Sequence, residues 1–360
     1  MAESKRVYIE GASIAGLTAA ARLGKFKYQT FVNGEIYQNT KIDGFEFDSA
    51  ALFTLPAVYR DFFQKTGKHF GQVLDVKPMD PAFRFTFPEL TIDFANLSRN
   101  ARLEEIASKL GSEAAKEWDS ILKEGEYFWD RMRENYMEWE FSYLRADLNT
   151  YLRLRPKFVY NQYLRKILAH YATYLGYPAG IYKWSHILAF VEESFGIWQV
   201  NGGTGALVYA IKERALELGT KFEACNDFDY YIDASQTHST PTQRLIGIKN
   251  YPNQLPVRTV QFHSNGLTTD IYSTQISEGQ YSLVLTGSLE IKDFDKYAVV
   301  DQIRGAINGD ADDQVLTKIR TANHRRFKAQ HMDSLSHAGI CGELLANAVR
   351  GIKNRPIHEH

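Results

Sequence analysis

Cysteine is nearly missing from this chain. Its 360 residues carry two, Cys225 and Cys341. They allow one disulfide at most, and no Cys-x-x-Cys pair is present to hold zinc. A reducing compartment, the cytoplasm, is the expectation. Net charge is also lacking. Lys+Arg number 42 and Asp+Glu 43, which leaves −1. No global field exists to grip nucleic acid, so nucleic-acid partners are not expected. No run reaches the roughly 20 apolar residues of a membrane span. The apolar opening from Val7 to Leu23 contains Glu10 and leads into Lys25 and Lys27 without a small-residue cleavage site. It is therefore read as folded structure and not as a secretory leader. Internal repeats and low-complexity tracts are absent, as are a Ser-His-Asp order and a paired-carboxylate signature. Nothing here points to a hydrolase.

Aromatic residues are abundant. There are 21 Tyr and 22 Phe, and aromatics make up 13% of the chain. That much flat apolar surface fits a large core, an aromatic-lined pocket or a lipid-facing patch. The length predicts two domains, three at most. The apolar share of 44% and charged share of 24% are those of a globular protein.

Residues 6–33 read as strand, turn, helix, strand. Val7-Tyr8-Ile9 is β-rich, residues 11–16 form a turn, Leu17 to Leu23 is Ala-rich and helical, Gly24 can end that helix, and Tyr28 to Val32 is a second strand. Residues 101–137 and most of 158–198 read as helices. Thr204 to Leu218 is an amphipathic helix closed by Gly219, residues 228–300 return to strand patterns, and a last helix is expected over 342–352. The segment 158–198 holds 11 aromatics in 41 residues, among them Phe158, Tyr160, Tyr163, Tyr171, Phe190 and Trp198. They would line a pocket for a long apolar molecule or fill a helical core. Nearby Lys157, Arg165, Lys166 and Lys183 also suit a membrane-surface face.

The turn after the first strand carries the chemistry. A dinucleotide turn uses one glycine for the bend, a second for approach to the pyrophosphate and a third for helix–strand packing. Gly11 and Gly16 fill the first and third places, and Ser13 stands in the second. The run Gly11-Ala12-Ser13-Ile14-Ala15-Gly16-Leu17-Thr18 resembles the opening of the phytoene desaturase and carotenoid oxidoreductase family, FAD-dependent flavoproteins of the amine-oxidase type. The resemblance continues through Asp43-Gly44-Phe45-Glu46-Phe47-Asp48, Met79 to Arg84, Phe195 to Gly203 with Gly205-Ala206-Leu207, Asp229 to Ala234, and His337 to Gly342.

The resemblance implies an α/β fold: a Rossmann-like FAD/NAD(P)-binding domain with an inserted mixed β-sheet and helical substrate domain. The cofactor domain is expected from 1–75, 196–240 and 325–360, and the substrate domain from 76–195 and 241–324. FAD would lie against Gly11, Ala12, Ser13, Ile14, Ala15 and Gly16. Asn33 or Glu35 would meet the ribose, Lys41 would supply a cation, and Gly202, Gly203, Gly339 and Gly342 would let backbone approach the flavin. His337 is the acid–base candidate, in the turn expected near the flavin. The implied substrate is a carotenoid, an isoprenoid or another long apolar molecule. Contact with the cytoplasmic face of a membrane and homo- or hetero-oligomers are also expected.

The chain departs from that pattern in places. Glu10 puts a carboxylate beside the pyrophosphate position. Asn33 stands where an acidic residue should bind ribose. A Gly-Gly-Arg turn is missing after it. The chain is shorter than the pattern, with the loss falling after Phe222, where a β-excursion of the cofactor domain is implied. The rival expectation is therefore a non-catalytic relative that has lost flavin and binds an apolar ligand or a partner subunit. A third is a nicotinamide-dependent reductase, since the turn is shared. Among other groups, His324 with Arg325 and Arg326 reads as a solvated basic patch, and His170 and His186 as core histidines. His358 and His360 would bind a metal only incidentally, and no metal site is expected.

Overall fold

The computed structural model describes residues 4–48, 52–136, 156–174, 182–235, 243–287, 294–304, 325–328 and 335–352. The chain opens with β1 (Arg6–Glu10), α1 (Ile14–Lys25) and β2 (Gln29–Asn33). A hairpin of β3 (Thr40–Ile42) and β4 (Phe45–Phe47) follows, then β5 (Leu52–Phe53), α2 (Ala57–Thr66), α3 (Phe70–Val73) and β6 (Val76–Pro78). The second unit begins with β7 (Phe83–Thr86), β8 (Thr91–Phe94), α4 (Arg99–Leu110), α5 (Ser112–Tyr136), α6 (Gln162–Tyr174) and α7 (Tyr182–Phe195). The chain then returns through β9 (Trp198–Val200), α8 (Gly203–Glu217) and β10 (Tyr230–Asp233). It leaves again as β11 (Gln243–Ile248), β12 (Arg258–Phe262), β13 (Thr268–Ser277), β14 (Gln280–Gly287) and β15 (Ala298–Arg304). It ends on β16 (Arg325–Lys328) and α9 (Leu335–Val349).

Two sheets organise these elements. The first has the order β16-β10-β1-β2 with every pair parallel. The second is a mixed sheet of seven strands, β15-β11-β14-β13-β12-β7-β8, in which only β12 and β7 run parallel. The expected α/β architecture is what the chain adopts: a Rossmann-like parallel sheet interrupted by a mixed sheet with helices. Parallel strands need faces covered by helices, and the sequence supplies one. Helix α1 is buried continuously from Ile14 to Gly24. Its alanines allow close packing, so Ala15, Leu17, Ala19 and Leu23 share one core with Val7 and Ile9 of β1, Ile232 of β10, Leu207 and Ile211 of α8, and Leu345 of α9. A helix apolar on all sides belongs in such a place. Its buried cation is paired: Arg22 meets Glu343 of α9 at 2.5 Å with both side chains largely buried.

The other face of the parallel sheet is closed differently. No strand forms between α8 and β10, and only an isolated bridge joins Phe31 to Lys221. The implied β-excursion is replaced by a thin aromatic cover. Tyr8, Phe31, Cys225 and Tyr231 are buried together, and Phe228 stacks on Tyr8 with ring centroids 5.4 Å apart. Both Cys225 and Cys341 are free thiols.

In the second unit, α4 to α7 cover the β7–β8–β12 end of the mixed sheet. Phe83, Phe85, Phe94, Trp118 and Tyr171 interlock there. No helix among the described residues is long and apolar enough to cross a membrane.

The C-terminal helix starts earlier than its sequence predicts, at Leu335 and not Gly342. The stretch expected as a turn is therefore helical, and its glycines serve packing. A Cβ on Gly342 would lie 2.5 Å from the Ala15 carbonyl oxygen and from Thr18 Cβ, and one on Gly339 would lie 2.8 Å from Val58. Overpacking such a crossing costs about 1–3 kcal/mol. Gly342→Ala should lower unfolding free energy by about that amount in urea titration, whereas Gly351→Ala, past the helix end, should not act through packing because its Cβ would meet open space.

Candidate functional site

In an open α/β sheet, ligands sit beyond the carboxyl ends of the strands where the strand order reverses. Here β1 is flanked by β2 and β10, and Glu10, Asn33 and Asp233 stand side by side at the three strand ends. A cleft of about 1100 Å³ opens there. Its wall is made by residues 10–14 of the β1–α1 turn, residues 33–38 after β2, Thr204 and Val208 of α8, and Ala234 and Ser235 after β10.

Steric geometry fixes the turn. Gly11 has φ +99°, and a Cβ there would lie 2.4 Å from the Ala234 carbonyl oxygen. A Cβ on Gly16 would lie 2.3 Å from the Gly11 carbonyl oxygen. These are the bend and the helix–strand packing roles of a dinucleotide turn. Gly34 completes the cradle, with φ +140° and a would-be Cβ 3.0 Å from the Ala12 nitrogen. Gly34 is not among the residues expected from sequence to line the cofactor, although a glycine directly after a strand end is a signal for such close approach.

Ser13 is the N-cap of α1. Its hydroxyl donates to the Ala234 carbonyl at 2.8 Å and accepts the Gly16 N–H at 3.2 Å. That hydroxyl is committed to the turn. The N–H groups of Ile14 and Ala15 precede the first intrahelical bond and supply the positive end of the helix dipole. The cleft thus offers backbone donors at a glycine-lined bend, the chemistry that suits a phosphate.

The side chains around it are acidic or neutral. Glu10 accepts a hydrogen bond from the Tyr231 hydroxyl, and burial followed by that bond pushes the Tyr231 phenol up from its usual value. Asn33 donates to Tyr8 Oη at 3.2 Å. Glu35 also lines the cleft. Lys41 is not brought to it: it lies on the β3–β4 hairpin, 3.6 Å from Glu46.

Gly202 and Gly203 lie at a second cavity of about 480 Å³, between the α8 N-terminus and β13. Gly203 lines this cavity and its neighbour Thr204 lines the first cleft, so the two adjoin at one helix end. Asp48 accepts the Thr204 N–H, and Asn39 accepts the Gly205 N–H at 3.2 Å. A Cβ on Gly203 would lie 1.9 Å from Asp48 Oδ2, so glycine is needed for that cap. Gly339 and Gly342 lie inside α9, away from both linings. His337 is in the first turn of that helix, not in a loop before it, and its side chain is outside the described residues.

The aromatic segment divides. Tyr171 is enclosed between Phe83 and Phe85, while Phe158 and Tyr160 are exposed. Tyr177, His324, His358 and His360 lie outside the described residues, as do the side chains of Tyr174, Tyr182 and Trp184. The helical core also encloses charged and titratable side chains, with His170 and His186 buried in it as expected. Glu192 of α7 lies 3.9 Å from Arg258 of β12, whose guanidinium sits 3.8 Å over the Phe83 ring. Burial raises the Glu192 carboxyl above its usual range, against the pull of Arg258. His170 meets Asp270 at 3.1 Å and His186 meets Glu124 at 3.2 Å. Among the described residues, no group of His, Cys, Asp and Glu could hold a metal ion.

No family model matches the chain. It is similar over 254 residues to a 4,4'-diapophytoene desaturase (4,4'-diaponeurosporene-forming) of Staphylococcus haemolyticus, with 27% identity, covering 63% of this chain and 49% of that one. It is also similar to a 4,4'-diapolycopene oxygenase of Methylomonas sp., with 24% identity over 61% and 48% of the two chains. The chain spans about half the length of the curated relatives it matches. Its fold is similar to that of a putrescine oxidase triple mutant (TM-score 0.59, 12% identity, 97% and 99% of the two chains). A cyclohexylamine oxidase of Brevibacterium oxydans gives 0.57 at 11% identity over 97% and 99%. A Rab GDI of Plasmodium falciparum gives 0.55 at 11% identity over 99% and 100%. The likeness to carotenoid desaturases and the amine-oxidase-like fold are thus found by sequence and by structure separately.

The Ser13 cap yields a stability test. Ser13→Ala should cost about 1 kcal/mol of unfolding free energy and Ser13→Gly only a few tenths, read by chemical denaturation.

Proposed function

We propose that this chain is an FAD-dependent oxidoreductase of the carotenoid desaturase and oxygenase type, acting on a carotenoid, isoprenoid or other long apolar substrate. The observation that carries the reading is the cradle at Gly11, Gly16 and Gly34, where a Cβ would collide with backbone, opening on a cleft large enough for the phosphate half of a dinucleotide. In this reading residues 1–75, 196–240 and 325–360 form the cofactor unit. Residues 76–195 and 241–324 form the substrate unit.

The backbone N–H groups of Ile14 and Ala15 hold the pyrophosphate, and Asn33 or Glu35 meets the ribose. Gly202 and Gly203 at the adjoining cavity leave room for the other end of the cofactor. FAD, when bound, supplies the hydride acceptor. What the protein contributes is placement and exclusion of water, and His337 is the acid–base group assigned to the proton that leaves with the hydride.

A long apolar substrate would suit a membrane-facing entrance. Phe158 and Tyr160 are exposed with ring centroids 5.1 Å apart, and the Arg165 guanidinium lies 5.4 Å from the Phe158 ring. Exposed aromatics beside cations suit a lipid headgroup layer. Sedimentation with anionic vesicles should fall by at least about fivefold in a Phe158→Ser, Tyr160→Ser variant, as expected when two aromatic anchors are lost. Undiminished binding would place the entrance elsewhere.

The visible spectrum tests the central assignment. The purified chain, as isolated or after incubation with FAD, should show flavin bands that bleach anaerobically on adding an acyclic polyene precursor. A chain that neither retains nor takes up FAD contradicts the cofactor, and a flavin that polyenes do not reduce contradicts the substrate class.

A further inference from the structure

The cleft that should hold a diphosphate carries a fixed negative charge at its floor. Glu10 is the last residue of β1, directly before Gly11, and lines the cleft with the phosphate turn. Its carboxylate is not free to swing out, because the Tyr231 hydroxyl rising from the neighbouring strand donates to it. Its backbone is held as well, since the Ala234 N–H donates to the Glu10 carbonyl at 2.7 Å. Glu35 adds a second carboxylate to the lining, and among the described residues that line this cleft there is no Lys or Arg. The attraction available to a diphosphate therefore comes from backbone N–H groups and the α1 dipole, with two side-chain charges acting against it.

We propose that Glu10, positioned by Tyr231, sets the affinity of this cleft for the dinucleotide diphosphate by opposing the helix dipole, so that the cofactor binds reversibly and occupancy follows the free FAD concentration. The inference rests on the cofactor reading above. It assigns Glu10 an affinity-setting role and Tyr231 a positioning role, neither in contact with the reacting atoms. Gln at position 10 keeps the shape and can still accept from Tyr231, so Glu10→Gln removes charge and little else.

The test is equilibrium binding of FAD to the flavin-free full chain, read by quenching of FAD fluorescence. Wild type and Glu10→Gln are compared at about 10 mM and about 1 M salt, where the screening length falls from about 30 Å to about 3 Å. The expected result is a dissociation constant about tenfold tighter for Glu10→Gln at low salt, with the gap shrinking below about threefold at high salt. Equal constants at low salt would overturn the proposal, and so would a gap that salt leaves unchanged, which would make the effect steric. The wild type alone provides a second readout should Glu10→Gln fold poorly. Its FAD affinity should hold steady or tighten as salt rises, and a steep weakening would show net attraction and overturn the proposal. Failure of both proteins to bind FAD at either salt is a separate outcome, which removes the cofactor reading and this inference with it.

Discussion

The site depends on one close contact, between the turn after β1 and the residue after β10. Ala234 meets that turn four ways. Its carbonyl leaves no space for a side chain on Gly11 and accepts the Ser13 hydroxyl, its N–H donates to the Glu10 carbonyl, and its methyl would lie 3.0 Å from a Cβ on Gly16. These contacts join residues more than two hundred positions apart and fix the direction in which α1 leaves the sheet. The orientation of the helix dipole, and of the cleft at its start, follows from them.

The rest of the parallel sheet can be understood as support for this contact. On one side α1 is sealed by α8 and α9, with Arg22 and Glu343 paired inside the crossing. On the other side the chain uses a short aromatic cover and not a further layer of strands. That economy has a chemical consequence, because Tyr231 belongs to the cover and its hydroxyl reaches Glu10 at the cleft floor. The mixed sheet contributes differently. Its helices enclose an aromatic core that includes Phe83, Phe85, Phe94, Trp118 and Tyr171, and bury a charged layer around Glu192, Arg258, His170 and Asp270. In that layer burial pushes the Asp270 carboxyl up, but the charge and hydrogen bond of His170 outweigh it and hold the group below its usual value.

Much of this was legible in the sequence where local chemistry dictates structure. Gly11 and Gly16 at their spacing, the Ala-rich helix after them and the β-rich runs on either side predict the turn and its place at a strand end. The amphipathic run closed by Gly219 predicts α8, which spans Gly203–Glu217. What local pattern could not supply was context. Gly339 and Gly342 look the same in sequence whether they approach a ligand or another helix, and only the crossing with α1 and α2 decides it. Lys41 has a charge suited to a phosphate but is carried off by the hairpin that pairs it with Glu46. Aromatic density does not distinguish Tyr171, enclosed in the core, from Tyr160, which faces solvent. The Ser13 hydroxyl, a candidate phosphate donor by residue type, is consumed by capping.

In the proposed function the β1–α1 turn and the start of α8 form one continuous binding site. Hydrogen–deuterium exchange of the full chain with and without FAD addresses it directly. FAD should slow exchange in the segments containing residues 11–16, 33–38 and 203–206 together, with little change in α4 and α5. Protection confined to other segments, or protection of the turn without the start of α8, would contradict it.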